Sequence, residues 1–496
     1  MHLLRVWLLA PGVWTLQPST CCTKLDEVAQ LKGKVYMSNT AAYEQRLNTY
    51  YSANAALSPW CMVMPNSTED VFKTIRIMAD NKCLFGIRSG AHSAYRGANS
   101  VEEGVTIDFG IRYMNRTVYD PKNKIARIEP GSNWGLVYRS LDSHGVSAVG
   151  ARASPVGVGG FVTGGGYSFH SNTKGFACDQ VVNFEVVLAD GRIINANKDE
   201  HPDLWKSLKG GSGNLGLITR VDQRVVDSTE IWAGFVEFNL SQRDAVFKEY
   251  INFVEADDND PASQLIVTMQ WDGERKHLLS VVSNSDAVET PDSFSGLFNI
   301  SSSNTTAKGR IADVVPQFTG PTPLGLYANW MTGTTTNDIR IMTFMHDKFD
   351  EYVGKMRTAA PSSKFSVLVQ FQPVTTSMVK HSQDNGGNVL GLESVVAKGP
   401  ALMWLIAVTV DTEQNQAKID PLTREFKADV KAYAGEMGIG YPWVYLNYAR
   451  AGQDPLAYYG SENMDVIRKV SMEYDPDGVF QHLRRSGFKI PVRRTY

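Results

Sequence analysis

Glycine constrains this chain more than any other residue, because two stretches before residue 170 concentrate it where backbone must come close to something else. The first is Phe85-Gly86-Ile87-Arg88-Ser89-Gly90-Ala91-His92-Ser93. The apolar run from Cys83 to Ile87 predicts a short buried strand, which breaks into small residues and then presents one histidine. Gly90 and Ala91 leave backbone N–H groups open to an anion. His92 falls where a phosphate-bearing cofactor would begin. The second stretch is Ser154-Pro155-Val156-Gly157-Val158-Gly159-Gly160-Phe161-Val162-Thr163-Gly164-Gly165-Gly166. Two such loops in succession point to a cradle for a dinucleotide. On residue types alone, a lone histidine after a strand is more often a packing residue than a cofactor ligand.

The rest of the chain bounds the answer. Its 496 residues suffice for a large core and two domains. A composition of 43% hydrophobic and 20% charged residues excludes a disordered chain. A net charge of −3 gives no electrostatic case for nucleic acid. No apolar run is long enough to span a bilayer. His2 and Arg5 flank a short apolar run, Leu3 to Leu16, which reads as a secretory signal over residues 1–19. Five glycosylation triplets, at Asn66, Asn115, Asn239, Asn299 and Asn304, agree with secretion. So does the cluster Cys21, Cys22, Cys61 and Cys83, which predicts two disulfides of undecided connectivity, since the adjacent Cys21 and Cys22 cannot readily pair with each other. Cys178 is left over as a buried thiol. No Cys/His spacing resembles a metal site.

Along the chain, short helices are expected between Asp26 and Leu57. A strand at Met62–Met64, a helix starting at Ser67, and strands at Val105–Asp108 and Ile125–Glu129 follow. Trp134–His144 reads as a helix. Val181–Leu188 is a strand leading through an Asp190-Gly191 turn to a return strand at Ile193. Pro202–Leu208 reads as a helix with proline at its start. Gly211-Ser212-Gly213-Asn214-Leu215-Gly216 fits the letters of a dinucleotide fingerprint, but a helix precedes it and a β-rich run follows, the reverse of what that site requires. From Ile231 to about Ala434, strands such as Leu265–Trp271 mix with helices such as Asp338–Arg357, and Asn299–Thr306 reads as an exposed loop. Val444–Tyr448 reads as a strand and Ser461–Tyr474 as a helix.

Three places carry a family resemblance: Arg88-Ser89-Gly90-Ala91-His92, the glycine run Gly157–Gly166 continuing to Asp179 and Glu185, and Tyr445-Leu446-Asn447-Tyr448. Together they resemble the berberine-bridge-enzyme-like, FAD-linked oxidases of the vanillyl-alcohol oxidase superfamily, over about Pro59 to Lys489. The resemblance implies an α+β fold with a two-part PCMH-type FAD-binding domain at 57–228, a substrate domain with an antiparallel sheet at 229–434, and a C-terminal element at 435–490 that completes the FAD domain. It implies FAD bonded covalently through His92. Arg88, Ser89, Gly90, Ala91, Ser93, Ser154, Gly157, Val158, Gly159, Gly160, Thr163, Gly164, Gly165, Gly166, Gly216 and Ile218 are the expected cofactor-binding residues, and no metal is expected. Ala91 replaces the family's second glycine, and Leu215 a phenylalanine in the stretch that closes the FAD domain. Some relatives attach the flavin a second time through a cysteine where this chain has Ser154. A serine is a far poorer nucleophile, so one bond only is expected.

The resemblance also implies hydride transfer from substrate to flavin, oxygen as electron acceptor, hydrogen peroxide as product and a monomer with a small-molecule substrate, either a specialised metabolite or a carbohydrate alcohol. An alcohol needs a base. Tyr448, Tyr445 and Asn447 are the candidates, and the family's Tyr-x-Asn-Tyr segment matches the base to Tyr448. If the segment is a strand, Tyr445 and Asn447 share one face and Tyr448 takes the other. Arg450 is the nearest cation in sequence. Gln370 and Gln372 alternate and so face one side, either the pocket or solvent. His170 and His381 read as structural. The alternatives are an oxidative cyclase or desaturase, and a flavin-fold binding protein without activity.

Overall fold

The computed structural model describes residues 18–110, 113–256, 260–319 and 324–492. The signal expected over 1–19 therefore lies outside the described residues, apart from Pro18 and Ser19, which open the helix Pro18–Asp26.

That helix carries Cys21 and Cys22 on adjacent positions, and one bonds into a strand while the other bonds just ahead of one. Cys21 bonds Cys83 and Cys22 bonds Cys61, across 62 and 39 residues. Cys61 opens strand β2 (Cys61–Val63), and Cys83 precedes β3 (Phe85–Arg88). Both lie in one apolar core with Val71, Ile75 and Met78 of the helix Thr68–Asp80. Ser67 caps that helix by accepting from the Asp70 N–H at 3.2 Å, as the Ser67 start predicts. With β1 (Val35–Met37) and β4 (Val105–Asp108), these strands form a sheet in the order β1-β2-β4-β3, parallel across β2-β4 and β3-β4.

A second, antiparallel sheet takes β5 (Thr117–Asp120), β6 (Ile125–Ile128), β7 (Ser147–Ala148), β8 (Val181–Val187), β9 (Ile193–Asn197) and β10 (Leu217–Val226). Its order is β5-β6-β10-β8-β9, with β7 on β10. The Asp190-Gly191 turn joins β8 to β9 as expected. The helix Pro202–Leu208 lies before, and β10 after, the glycine turn at 211–216.

The third sheet has nine strands, all antiparallel: β11 (Glu230–Phe238), β12 (Ser263–Trp271), β13 (Lys276–Asn284), β14 (Ser303–Asn304), β15 (Ala307–Arg310), β16 (Tyr327–Thr336), β17 (Ser366–Val374), β18 (Ala401–Val410) and β19 (Gly440–Tyr441). The helices Arg243–Glu255, Ile339–Ala359 and Glu413–Glu436 cover one face. Alternation along the strands decides which residues they cover. Leu265, Val267 and Met269 of β12 and Val367, Val369 and Phe371 of β17 pack under the helices. Ile266, Thr268 and Gln270, with Leu368 and Gln370, face the other way, into the main cavity. The chain thus has the mixed helix-and-sheet, α+β architecture that the sequence implies.

Two expectations are corrected. Asn299–Thr306 is not a plain loop: Asn299 and Ile300 close the helix Ser295–Ile300, and Ser303–Asn304 adds a short strand to the edge of the third sheet. Val444–Tyr448 is not a strand but leads into a tight 3-10 turn, Leu446–Tyr448. No helix among the described residues is long and apolar enough to cross a membrane.

Candidate active site

The cavity, of about 930 Å³, lies between the two glycine loops and the open face of the third sheet. Its floor is backbone. A Cβ built on Gly90 would fall 2.3 Å from the Gly157 nitrogen, and one built on Gly157 would fall 2.2 Å from the Gly90 nitrogen. The two loops therefore meet main chain against main chain, which only glycine permits at these positions. Ser89 fixes the junction by donating to the Pro130 carbonyl at 2.6 Å. Ala91 holds φ at +56°, a left-handed conformation that costs an L-residue roughly 1–2 kcal/mol. This is the position where the family carries glycine.

Ser89, Gly90, Ala91, His92, Ser93, Gly157, Gly159, Gly160, Thr163, Gly216 and Ile218 line the cavity. Arg88, Ser154, Val158, Gly164, Gly165 and Gly166 stand behind the lining. Arg88 is buried beneath it, 3.4 Å from Asp108 and with its guanidinium 3.9 Å from the centre of the Tyr50 ring. Val158 belongs to the central core. The Ser154 hydroxyl is buried without a hydrogen-bond partner. Gly166 donates its N–H to the Tyr445 hydroxyl. A glycine-floored cradle of this size, walled by aromatic rings, fits a flavin dinucleotide.

His92 stacks on Tyr51, with ring centres 4.2 Å apart, and meets Trp330 edge-on at 5.7 Å. Burial pushes its imidazole down to about 4, so the ring is neutral near neutral pH. Trp330, on β16, also meets Tyr448 edge-on, at 5.7 Å.

The two candidate tyrosines occupy different environments. Tyr445 is fully buried, and its oxygen accepts from Gly166 N–H (3.0 Å), Tyr167 N–H (2.8 Å) and Asn447 Nδ2 (3.1 Å). Burial raises its pKa despite those donors. Asn447 spends another donor bond on the Phe161 carbonyl and so braces the turn against the glycine loop. Tyr448 faces the cavity. Its hydroxyl lies 3.1 Å from Arg152 Nη2 and 3.5 Å from Gln372 Nε2. Because Leu446–Tyr448 is a turn, both rings come to one side, with centres 5.0 Å apart.

Arg152 is the residue that the sequence did not single out. It also donates to Gln372 Oε1 at 2.6 Å and lies over the Tyr167 ring at 4.3 Å. No carboxylate among the described residues pairs with it, so its charge is directed at Tyr448 and the cavity. Arg450, the nearest cation in sequence, is instead paired with Asp420 at 2.8 Å. Gln370 lines the cavity, and Gln372, on the same side of β17, is buried behind the lining against Arg152 and Tyr448, so the pair takes the pocket-side orientation of the two expected. His170 is buried outside the lining. Phe169, Phe235, Phe318 and Leu326 form an apolar wall in the same cavity.

The FAD binding domain family matches residues 59–197. The FAD-dependent monooxygenase drtC of Aspergillus calidoustus is 33% identical over 493 residues, covering 97% of this chain and 92% of that protein. The FAD-dependent monooxygenase sdcF of Emericella nidulans is 33% identical over 478 residues, covering 95% and 98%. Among solved structures, 6-hydroxy-D-nicotine oxidase from Arthrobacter nicotinovorans superposes with a TM-score of 0.77 at 19% identity, covering 93% of this chain and 98% of that one. Berberine bridge enzyme superposes with a TM-score of 0.75 at 16% identity, covering 96% and 99%. Fold and cavity define an FAD-dependent oxidoreductase. The chain belongs to the family of FAD-dependent monooxygenases that includes drtC and sdcF, and its fold is that of the berberine bridge enzyme and 6-hydroxy-D-nicotine oxidase structures.

Proposed function

We propose that the protein is an oxidase that removes a hydride from a small, largely apolar organic alcohol, with the FAD held by one covalent bond through His92. The observation that carries this reading is the convergence of His92, Trp330, Tyr448 and Arg152 on one cavity. When bound, FAD would supply a two-electron acceptor for the substrate hydride, with oxygen as the final acceptor and hydrogen peroxide as the product. A neutral His92 has the free lone pair needed to form the bond. The absence of a thiol at Ser154 supports a single attachment.

Tyr448 accepts the hydroxyl proton of the substrate. Arg152 and Gln372 hold the Tyr448 oxygen in place through hydrogen bonds at 3.1 and 3.5 Å. Tyr445 has its oxygen occupied by three N–H donors, so it positions the turn rather than exchanging protons. The phenylalanine wall favours a specialised metabolite over a sugar, since a sugar would need polar partners around its whole rim. The division into parts at 57–228, 229–434 and 435–490 is supported by the third sheet, whose strands come from residues 230–410 except for the two-residue β19 at 440–441. Passage through the secretory pathway is supported by the two disulfides and by the exposure of Asn66, Asn239, Asn299 and Asn304.

Acid precipitation of the purified protein tests the covalent bond. Yellow colour should stay with the pellet, and His92→Ala should move it to the supernatant; flavin that washes off the unmodified protein rejects the bond.

A second reading, insertion of an oxygen atom into the product, is favoured by the relatives described as monooxygenases. Turnover under labelled oxygen separates the two. Label in peroxide alone supports the oxidase, and label in the organic product supports the monooxygenase.

A further inference from the structure

The cavity has a charged end that neither the glycine loops nor the tyrosine turn explains. Arg484, in the C-terminal tail, is 2% exposed and lines the cavity together with Phe488, Tyr95, Asn99 and Gly213. Its guanidinium donates to the carbonyls of Phe480 (3.2 Å), Phe488 (2.8 Å) and Ser486, and to Asn214 Oδ1 (2.6 Å). Every one of these acceptors is neutral. Lys489 donates to the carbonyls of Phe480 (3.0 Å) and Arg484. No carboxylate among the described residues lies within 4.0 Å of either side chain. Burial, and then the neighbouring Arg484 and Arg485, push the Lys489 ammonium down to about 6.

Burying a charge without a counter-ion is costly, and proteins retain such charges where a ligand completes the pair. The tail's position indicates which ligand. Phe85 N–H donates to the Leu483 carbonyl at 3.0 Å, Arg485 N–H to the Phe85 carbonyl at 2.7 Å, and Ile87 N–H to Ser486 Oγ at 3.0 Å. The tail thus runs along β3, the strand that delivers Ser89 and Gly90 to the cavity floor. Through Asn214, Arg484 also ties the tail to the turn that leads to Gly216 and Ile218.

We propose that Arg484 is a buried cationic pole that binds the diphosphate of the FAD, with the partly buried Lys489 behind it taking up a proton as the diphosphate arrives. The proposal rests on the FAD reading of the cavity. The glycine loops give the diphosphate backbone donors and no formal charge, and the tail supplies the positive charge they lack.

Binding to the full-length His92→Ala protein, stripped of flavin, tests this without reference to turnover. Tryptophan fluorescence is followed during titration with FAD, with ADP and with riboflavin, which has no phosphate. Arg484→Met and Lys489→Met should each weaken FAD and ADP binding by about 10- to 100-fold and leave riboflavin binding unchanged. Lys489→Met keeps the Arg484 contacts to the tail and so decides the question if Arg484→Met does not fold. Unchanged ADP affinity in Lys489→Met, or an equal loss for ADP and riboflavin, overturns the proposal. If the parent protein binds neither FAD nor riboflavin, the FAD reading itself falls.

Discussion

Arg152 and Tyr448 stand 296 residues apart in the chain, yet the guanidinium nitrogen and the phenol oxygen lie within 3.1 Å of each other. One comes from the segment before the glycine loop and the other from the C-terminal turn, so the pair exists only when the two ends of the FAD-binding half have closed on each other. If Arg152 supports the base, Arg152→Met should retain flavin and thermal stability while slowing anaerobic flavin reduction by about 10²-fold. Arg152→Lys should recover part of the rate. Stopped-flow absorbance of the flavin measures both, and an unchanged rate in Arg152→Met removes Arg152 from the chemistry.

The two tyrosines should separate under phenylalanine substitution. Tyr448→Phe should keep its melting temperature and reduce flavin about 10²–10⁴-fold more slowly. Tyr445→Phe strands the Gly166 and Tyr167 N–H groups and should cost about 1–3 kcal/mol of stability. Differential scanning calorimetry beside single-turnover kinetics distinguishes the pair; the reverse pattern would exchange their roles.

His170 should make the fold sensitive to acid. Burial depresses its imidazole from 6.5 to about 4, and the ring is 3% exposed. Between those two values the unfolded chain binds the proton and the folded chain does not. Stability from this group is therefore present above the unfolded value and falls as pH drops from about 6.5 toward about 4, by roughly 3 kcal/mol in all. Urea unfolding across that window should show the slope, and His170→Gln should reduce it, leaving whatever part the buried His92 contributes.

The two disulfides should contribute separately. In the chain-entropy account, loops of this length stabilise by about 4 kcal/mol each. Paired replacement of Cys22 and Cys61 by serine should lower the melting temperature while leaving Cys21–Cys83 intact in non-reducing peptide maps. Detection of Cys21–Cys61 or Cys22–Cys83 peptides in the unmodified protein would contradict the pairing.

Local signals were legible where chemistry is local. The Ser67 cap, the proline-started helix at Pro202 and the Asp190-Gly191 turn each follow from a few neighbouring residues. The glycine run told of a close approach, and the structure shows that its partner is the other glycine loop. The cysteine cluster told of two bonds; which cysteine bonds which partner depends on how the first helix lies across the sheet. Val444–Tyr448 misled because aromatic and branched residues favour strands. The segment instead turns to insert Tyr445 beneath Gly166, a tertiary contact that overrides local preference. Arg450 misled for a related reason: closeness in sequence placed it near Tyr448, whereas Asp420 holds its side chain. Arg152 left no signal, since its partner lies nearly three hundred residues on.

The alternating third sheet bears on how such an enzyme could diversify. Thr268, Gln270, Leu368 and Gln370 touch the cavity, while Val267, Met269, Val369 and Phe371 between them hold the helices. Every second position is therefore free to mutate toward a new substrate with little penalty to folding, and the flavin machinery on the opposite wall stays as it is. A combinatorial library restricted to those four roof positions would explore substrate range on a scaffold that still folds. One that strayed a single residue along either strand would sample mostly broken cores.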